Sequence, residues 1–236
     1  MKIRTVDELQ DMVDKDMAWR KHELSAIRAS VLSSRKSAKD TAIRSGIALL
    51  YAHWEGAIKN IATYYLSYVS TLALPYGKLK PNFLAIASKS SLMEFEATNK
   101  TSLHTALIID IIHSQGERSR IPVEGIIKTN SNLNSMVFAE IMATIGLDSS
   151  VYEGAYKLID TVLLDKRNRI AHGEQIELLD LDEERYIEIH DKVRDMIQQF
   201  ANQVTNAASL RLYLVQPFEN LMQEKQQPLN REKNHD

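Results

Sequence analysis

The sequence predicts an all-α fold, a bundle of long antiparallel helices with a C-terminal helix pair that carries a polar motif. Three observations predict it. Apolar residues recur every three to four positions over long stretches, the period of a helix with one buried face. Gly and Pro are few, 8 and 5 in 236 residues, fewer than the turns of a strand-rich fold usually need. No strand-like runs alternate with the helical ones, which argues against an open α/β sheet.

The first helix is expected over the first 33 residues or so, with Val6, Leu9, Val13, Met17, Leu24, Ile27 and Val31 on its apolar face. A second runs from about Ala38 to Leu74, its stripe formed by Ile43, Ile47, Leu50, Trp54, Ile58, Ile61, Tyr65 and Val69. Gly46 and Gly56 lie inside it, where glycine is unfavourable unless a neighbour packs close. Pro75 and Gly77 end it, and Pro81 is suited to open the next short helix.

Residues 82–129 are less regular. Leu84 to Phe95 reads as one short helix and Leu103 to Ile112 as another, followed by an exposed connection with a brief extended piece at Ile121 to Val123. Ser131 or Asn132 is placed to cap a helix through Phe138 and Ile141 that stops at Gly146. A further helix starts at Ser149 or Ser150, with Tyr152, Tyr156, Ile159, Val162 and Leu163 inward, and leads into Arg167. The last begins at Asp182 and buries Tyr186, Ile189, Val193, Ile197, Phe200 and Val204. One domain over residues 1–216 and a disordered tail over 217–236 are expected, since periodicity is lost after Pro217.

Composition narrows the function classes. Hydrophobic residues make up 44% and charged residues 25%, ordinary for a globular protein. Without cysteine there is no disulfide, thiolate nucleophile or cysteine-ligated metal site, which fits a reducing cytosol. Neither a signal peptide nor an apolar run long enough to span a membrane is present, so no membrane role is expected and the location is expected to be cytoplasmic. The net charge of −2 does not advertise nucleic acid. Basic residues nevertheless cluster from Arg20 to Arg44, either as a local phosphate surface or, the more usual case, as a solvated helix face.

The polar motif is the stretch from Arg167 to Gly173, Arg-Asn-Arg-Ile-Ala-His-Gly. On a helix Asn168 and Arg169 share a face with His172, at separations of four and three. Arg167, five before His172, lies about 140° around the axis. Either its side chain curls back, or the helix end distorts, or a second subunit brings the two groups together. Gly173 is a natural helix stop. It leaves His172 in the last turn, where the helix dipole favours a protonated imidazole suited to acid catalysis. Spacing alone leaves a helix-capping histidine equally open, and Arg185 to His190 repeats the Arg-x4-His spacing in a setting that reads as structural. Only Arg167 of the two is followed by Asn.

This stretch resembles the Arg-Asn-x3-His motif of the HEPN superfamily (higher eukaryotes and prokaryotes nucleotide-binding domain). Ala48 to Asn60, Ala-Leu-Leu-Tyr-Ala-His-Trp-Glu-Gly-Ala-Ile-Lys-Asn, is similar to the aromatic-Glu-Gly segment of one branch, the stand-alone nucleases related to the RiboL-PSP-HEPN group. Thr129 to Ser135 and the residues leading into the motif resemble the same branch in the same order, so that the likeness spans most of residues 40–205.

The resemblance implies a HEPN-like helical bundle acting as a metal-independent endoribonuclease without cofactors, its composite cleft formed by two motifs across the two-fold axis of a homodimer. It implies His172 as general acid or base, Arg167 as the neutraliser of phosphate charge, and Asn168 as an orienting group. The nucleophile would be the RNA's own 2′-hydroxyl, leaving a cyclic phosphate and a 5′-hydroxyl. A toxin or antiviral effector with a neutralising antitoxin-like partner fits that class. The alternatives are a catalytically silent module that binds RNA, nucleotide or a protein partner, and a purely structural helical dimer.

Supporting positions follow. Arg169, where a small or apolar residue is expected, is an extra phosphate contact or a surface charge. Glu55 and Lys59 are in the favourable order for a helical ion pair, either an ordinary surface pair or one that shapes the cleft. Trp54 and Tyr51 read as core or interface anchors rather than base-stacking platforms, His53 as a minor candidate for RNA contact, and Gly56 as structural.

Overall fold

The computed structural model of the protein describes residues 2–174 and 181–215. Three long helices form its frame: α1, Val6–Ser33; α2, Lys36–Leu72; and α8, Glu183–Ser209. Each long helix packs on the other two. A two-residue turn sends α2 back antiparallel to α1. The α8 helix runs beside α2 in the same direction, with Lys39 paired to Glu183 near one end and Tyr68 edge-on to Tyr213, 5.9 Å away, near the other.

The first helix starts where its chemistry dictates. The Thr5 hydroxyl accepts the Glu8 backbone N–H at 3.0 Å, and the Glu8 carboxylate accepts the Arg4 N–H at 2.7 Å. Asp182 caps α8 in the same way through the Arg185 N–H. The apolar stripes expected for the long helices are buried almost throughout, including Trp54, Ile58, Ile61, Tyr186, Val193 and Phe200, each 0% exposed.

The two glycines of α2 admit side chains from neighbours rather than backbone. A Cβ at Gly46 would lie 2.7 Å from the Tyr186 ring, and one at Gly56 would lie 3.0 Å from the Arg20 guanidinium. Arg20 is itself buried, held by Asp16 at 2.5 Å and by the His53 carbonyl at 3.2 Å. Part of the basic stretch thus ties helices together. Arg28 faces Asp191 and Lys39 faces Glu183 across to α8. His190 is likewise structural, buried with Nε2 3.2 Å from the Leu24 carbonyl.

Several boundaries differ from the expected ones. Helix α2 ends at Ala73, in a left-handed conformation, two residues before Pro75. The single helix expected from Leu84 to Phe95 is two: α3, Pro81–Ala87, with Pro81 in its first turn, and α4, Lys89–Glu96. They break at Ser88, whose ψ of 8° cannot continue a helix. Next comes α5, Thr101–His113, paired with α4 and leaving Leu103, Ile108, Ile109 and Ile112 exposed.

The extended piece at Ile121–Val123 is not part of a strand. The segment from Ile121 to Leu133 instead runs back along α2. The Ser70 hydroxyl donates to the Ile121 carbonyl at 2.7 Å near one end, and the Leu133 N–H donates to the Tyr51 hydroxyl at 2.7 Å near the other. Ile121, Ile127 and Leu133 are its buried anchors. Helix α6, Ser135–Ile145, is capped by Asn134 rather than Ser131 or Asn132, because Ser131 has a left-handed backbone. Gly146 ends α6 as expected.

The arm that follows is wound three ways: a 3₁₀ stretch over Ser150–Ala155, a π stretch over Leu158–Leu164, and then α7, Asp165–Ala171. Among the described residues no helix is long and apolar enough to cross a membrane. The expected tail, residues 217–236, lies outside the described residues.

Candidate active site

Tertiary contacts fix the arm before the motif begins. Asp160 in the π stretch accepts the Ser135 backbone N–H at 2.6 Å and the Ser135 hydroxyl at 2.5 Å, so the arm caps the start of α6. Wide π turns recur where a helix must shift register at a functional position. Here the shift directly precedes α7, whose first residues include Arg167.

Arg167 is half-buried between the arm and α2. Its guanidinium carbon is 4.5 Å from the centroid of the Tyr51 ring, and its Nη1 donates to the Asn168 side-chain oxygen at 2.8 Å. A guanidinium over an aromatic face gains about 0.5–1 kcal/mol, and up to about 2 when desolvated. Among the described residues no carboxylate pairs with Arg167.

Tyr51 supports this contact. It is 1% exposed. Burial, opposed by the Leu133 N–H and the nearby Arg167 charge and reinforced by Glu55, pushes its hydroxyl up to about 12. The hydroxyl thus stays neutral near pH 7. It accepts from the Leu133 N–H at 2.7 Å, and the Glu55 charge lies close enough to raise its pKa further. One side chain joins α2, the 121–133 segment and the motif.

His172 caps α7 with φ −85° and ψ 4°, just outside helical geometry, and its side chain is exposed. Gly173 at φ 84° donates its N–H to the Ile170 carbonyl at 3.0 Å, and Glu174 donates to the Arg169 carbonyl at 3.1 Å. Both bonds belong to a Schellman ending, which closes a helix through a left-handed residue. Residues 165–171 stay helical up to this turn, so the helix end does not itself bring Arg167 to His172. Within one protomer Arg167 turns inward over Tyr51 while His172 faces solvent.

The flanking residues part company. Arg169 is 2.6 Å from Glu174 and 3.9 Å from Asp165, bracing the helix end. The ion pair expected between Glu55 and Lys59 is not formed: Glu55 is half-buried towards Tyr51, and Lys59 is exposed beside residues 123–131. His53 is not positioned for RNA. It is 3% exposed, with Nε2 3.0 Å from the Glu23 carboxylate and its ring 5.1 Å from that of Trp19. Burial, and then the Arg20 charge, lower its pKa from the ordinary 6.5. Trp54 is a core anchor, its ring 5.3 Å from Phe138.

Sequence reasoning missed two contributors. Tyr51 reads from the sequence as a core or interface anchor, although its place four residues before Glu55 puts both on one helix face. Asp160 carries no local signal, because its partner is twenty-five residues away.

The all-α bundle that carries this helix end is the architecture of a HEPN domain. The chain belongs to the RiboL-PSP-HEPN family, whose model matches residues 15–206. That span includes α2, the 121–133 segment, the motif and most of α8. No curated protein and no solved structure matches the chain. Membership places it among domains with RNA-related, nuclease-type functions that commonly bind RNA and dimerise.

Proposed function

We propose that the protein is a metal-independent endoribonuclease, a toxin or antiviral defence effector that acts as a homodimer with a composite cleft. The observation that carries this reading is the state of Arg167. The fold holds its guanidinium between the Tyr51 ring and the Asn168 amide and leaves it without a carboxylate partner among the described residues. A planar cation fixed in this way suits a phosphate whose charge grows in the transition state.

Asn168 orients the fork through its side-chain oxygen. His172, exposed at the helix end, takes the proton from the RNA 2′-hydroxyl or delivers one to the leaving 5′-oxygen. Attack by the 2′-oxygen on the adjacent phosphorus breaks the bond to the 5′-oxygen. The products are a 2′,3′-cyclic phosphate and a 5′-hydroxyl. An antitoxin-like partner is part of the same proposal.

A second reading is a silent module that binds RNA, nucleotide or a protein partner. It draws on the exposure of His172, whose imidazole no side chain among the described residues orients within one protomer.

Labelled RNA incubated with the protein in excess chelator, beside His172→Ala, tests both readings. Chelator-resistant cleavage that leaves cyclic phosphate ends and disappears in the variant is expected. Equal cleavage by the two proteins would remove His172 from the mechanism. RNA binding without cleavage by either would favour the silent module.

A further inference from the structure

A groove of about 530 Å³ lies between α2 and the segment that runs back along it, lined in part by Lys59, Thr63, Glu124, Lys128, Asn130 and Ser131. Lys59 and Lys128 are exposed and have no ion-pair partner among the described residues, whereas the cations that bind the helices together, such as Arg20, Arg28 and Lys39, do. Glu124 contributes one opposing charge on the wall, which leaves a basic excess in the groove.

The backbone of this wall is unusual. Asn130 and Ser131 are consecutive non-glycine residues at φ 53° and 54°. The left-handed region costs roughly 1–2 kcal/mol for a residue such as Ser, and strain of this kind concentrates at binding sites. It turns two small polar side chains outward beside the two lysines.

The groove also has a position relative to Arg167. Tyr51, Glu55, Lys59 and Thr63 succeed one another at four-residue intervals along α2, and eight residues from Tyr51 to Lys59 correspond to about 12 Å of helix. The 121–133 segment follows the same edge, from Tyr51 at Leu133 back to the groove at Ser131. A strand whose phosphate sits at Arg167 and continues along this edge reaches Lys59 and Lys128 within a few nucleotides.

We infer that this groove binds the sugar–phosphate backbone of a single-stranded RNA, a few nucleotides from the bond placed at Arg167, through Lys59, Lys128 and the polar side chains of Asn130 and Ser131. The inference rests on the ribonuclease reading for the strand's identity and direction. It explains how a chain with net charge −2 meets a polyanion, since a local basic groove attracts phosphate even on a weakly acidic protein. Ammonium groups on flexible stems grip phosphate as point charges, without base preference.

The experiment measures binding separately from cleavage. In the His172→Ala background, the affinity for a labelled single-stranded RNA of about 20 nucleotides is read by fluorescence anisotropy across a salt series. The combined Lys59→Gln and Lys128→Gln substitution is expected to weaken binding about ten-fold at low salt. It should also flatten the salt dependence by about 0.7 in log–log slope for each phosphate no longer neutralised. The paired control, Lys15→Gln with Lys100→Gln, is expected to leave both unchanged. Equal losses in the two pairs would make the effect one of overall charge and overturn the groove. Unaltered affinity and slope in the Lys59 and Lys128 variant of a protein that does cleave RNA would overturn the groove alone. A parent that neither binds nor cleaves RNA would overturn the groove together with the ribonuclease reading.

Discussion

Arg167 rests over the ring of Tyr51 at 4.5 Å, and that ring is fixed from behind by the Leu133 N–H on its hydroxyl. The ring and the hydroxyl therefore have separable roles. Tyr51→Phe keeps the aromatic face but leaves a buried N–H unsatisfied, a loss of about 1–3 kcal/mol. Tyr51→Leu removes the face as well. Urea unfolding should show both variants destabilised, while RNA cleavage falls about ten-fold or more only in Tyr51→Leu. Equal activity in the two would separate the ring from the function of Arg167.

Asn168 gives Arg167 an uncharged partner. Asn168→Asp has nearly the same shape and places a carboxylate against the guanidinium. Neutralised in this way, Arg167 loses its hold on phosphate, and RNA cleavage should drop about 100-fold, the scale of removing one preorganised electrostatic group. Thermal stability should stay the same or rise slightly, because a half-buried ion pair has replaced a neutral hydrogen bond. Undiminished cleavage would show that the charge of Arg167 is not used.

The long helices were legible in the sequence because their stripes repeat for many turns, and a period of about 3.6 residues survives a boundary error of two residues. The motif arm was not. Its 3₁₀ and π windings are set by Asp160 reaching Ser135, a contact between distant segments that leaves no periodic trace. The candidate site at Arg167, Asn168, His172 and Gly173 was legible because residue types and order suffice to resemble a family motif, whereas their geometry comes from the Tyr51 contact and the Gly173 turn. The Glu55 and Lys59 pairing failed for a related reason. Helical spacing permits the pair, but the outcome depends on packing between distant segments, which brings Leu133 and Arg167 to the Tyr51 side chain beside Glu55 and the 123–131 residues to Lys59.

Gly173 at φ 84° ends α7 and sets the backbone of His172. Gly173→Ala strains that turn by about 1–2 kcal/mol, whereas Gly173→Asn is better tolerated in the left-handed region. Cleavage should fall several-fold in the alanine variant and recover in the asparagine variant. A loss of the same size in both would point to space near Gly173 rather than backbone geometry.

His53 gives the fold a pH dependence whose sign is fixed. Burial and the Arg20 charge lower its folded pKa below the ordinary 6.5, against the opposing pull of Glu23 and Asp16. Below about 6.5 the unfolded chain takes up a proton that the folded chain refuses. Its contribution is therefore fully present above about 6.5 and declines as the pH falls towards the folded value. The urea midpoint should drop between about pH 7.5 and 5.5, and the drop should shrink in His53→Gln. An identical pH profile in the variant would move the titration to another group.

Within one protomer Arg167 turns inward and His172 outward, so a working pair drawn from two protomers makes a specific demand on mixtures. Arg167→Ala and His172→Ala are each expected to be inactive. When they are mixed and allowed to exchange subunits, about half of the dimers are mixed, and each carries one intact pair across the two-fold axis together with one doubly damaged pair. Activity should return to about a quarter of the wild-type value, half the dimers with one of two pairs restored. At constant total protein, a single intact pair per mixed dimer also predicts that recovery peaks at equal amounts of the two variants. If Arg167 and His172 of the same protomer act together, no mixed dimer contains an intact pair and the mixture stays silent. Sedimentation of the mixture, showing dimers at the same concentration, separates that outcome from a failure to assemble.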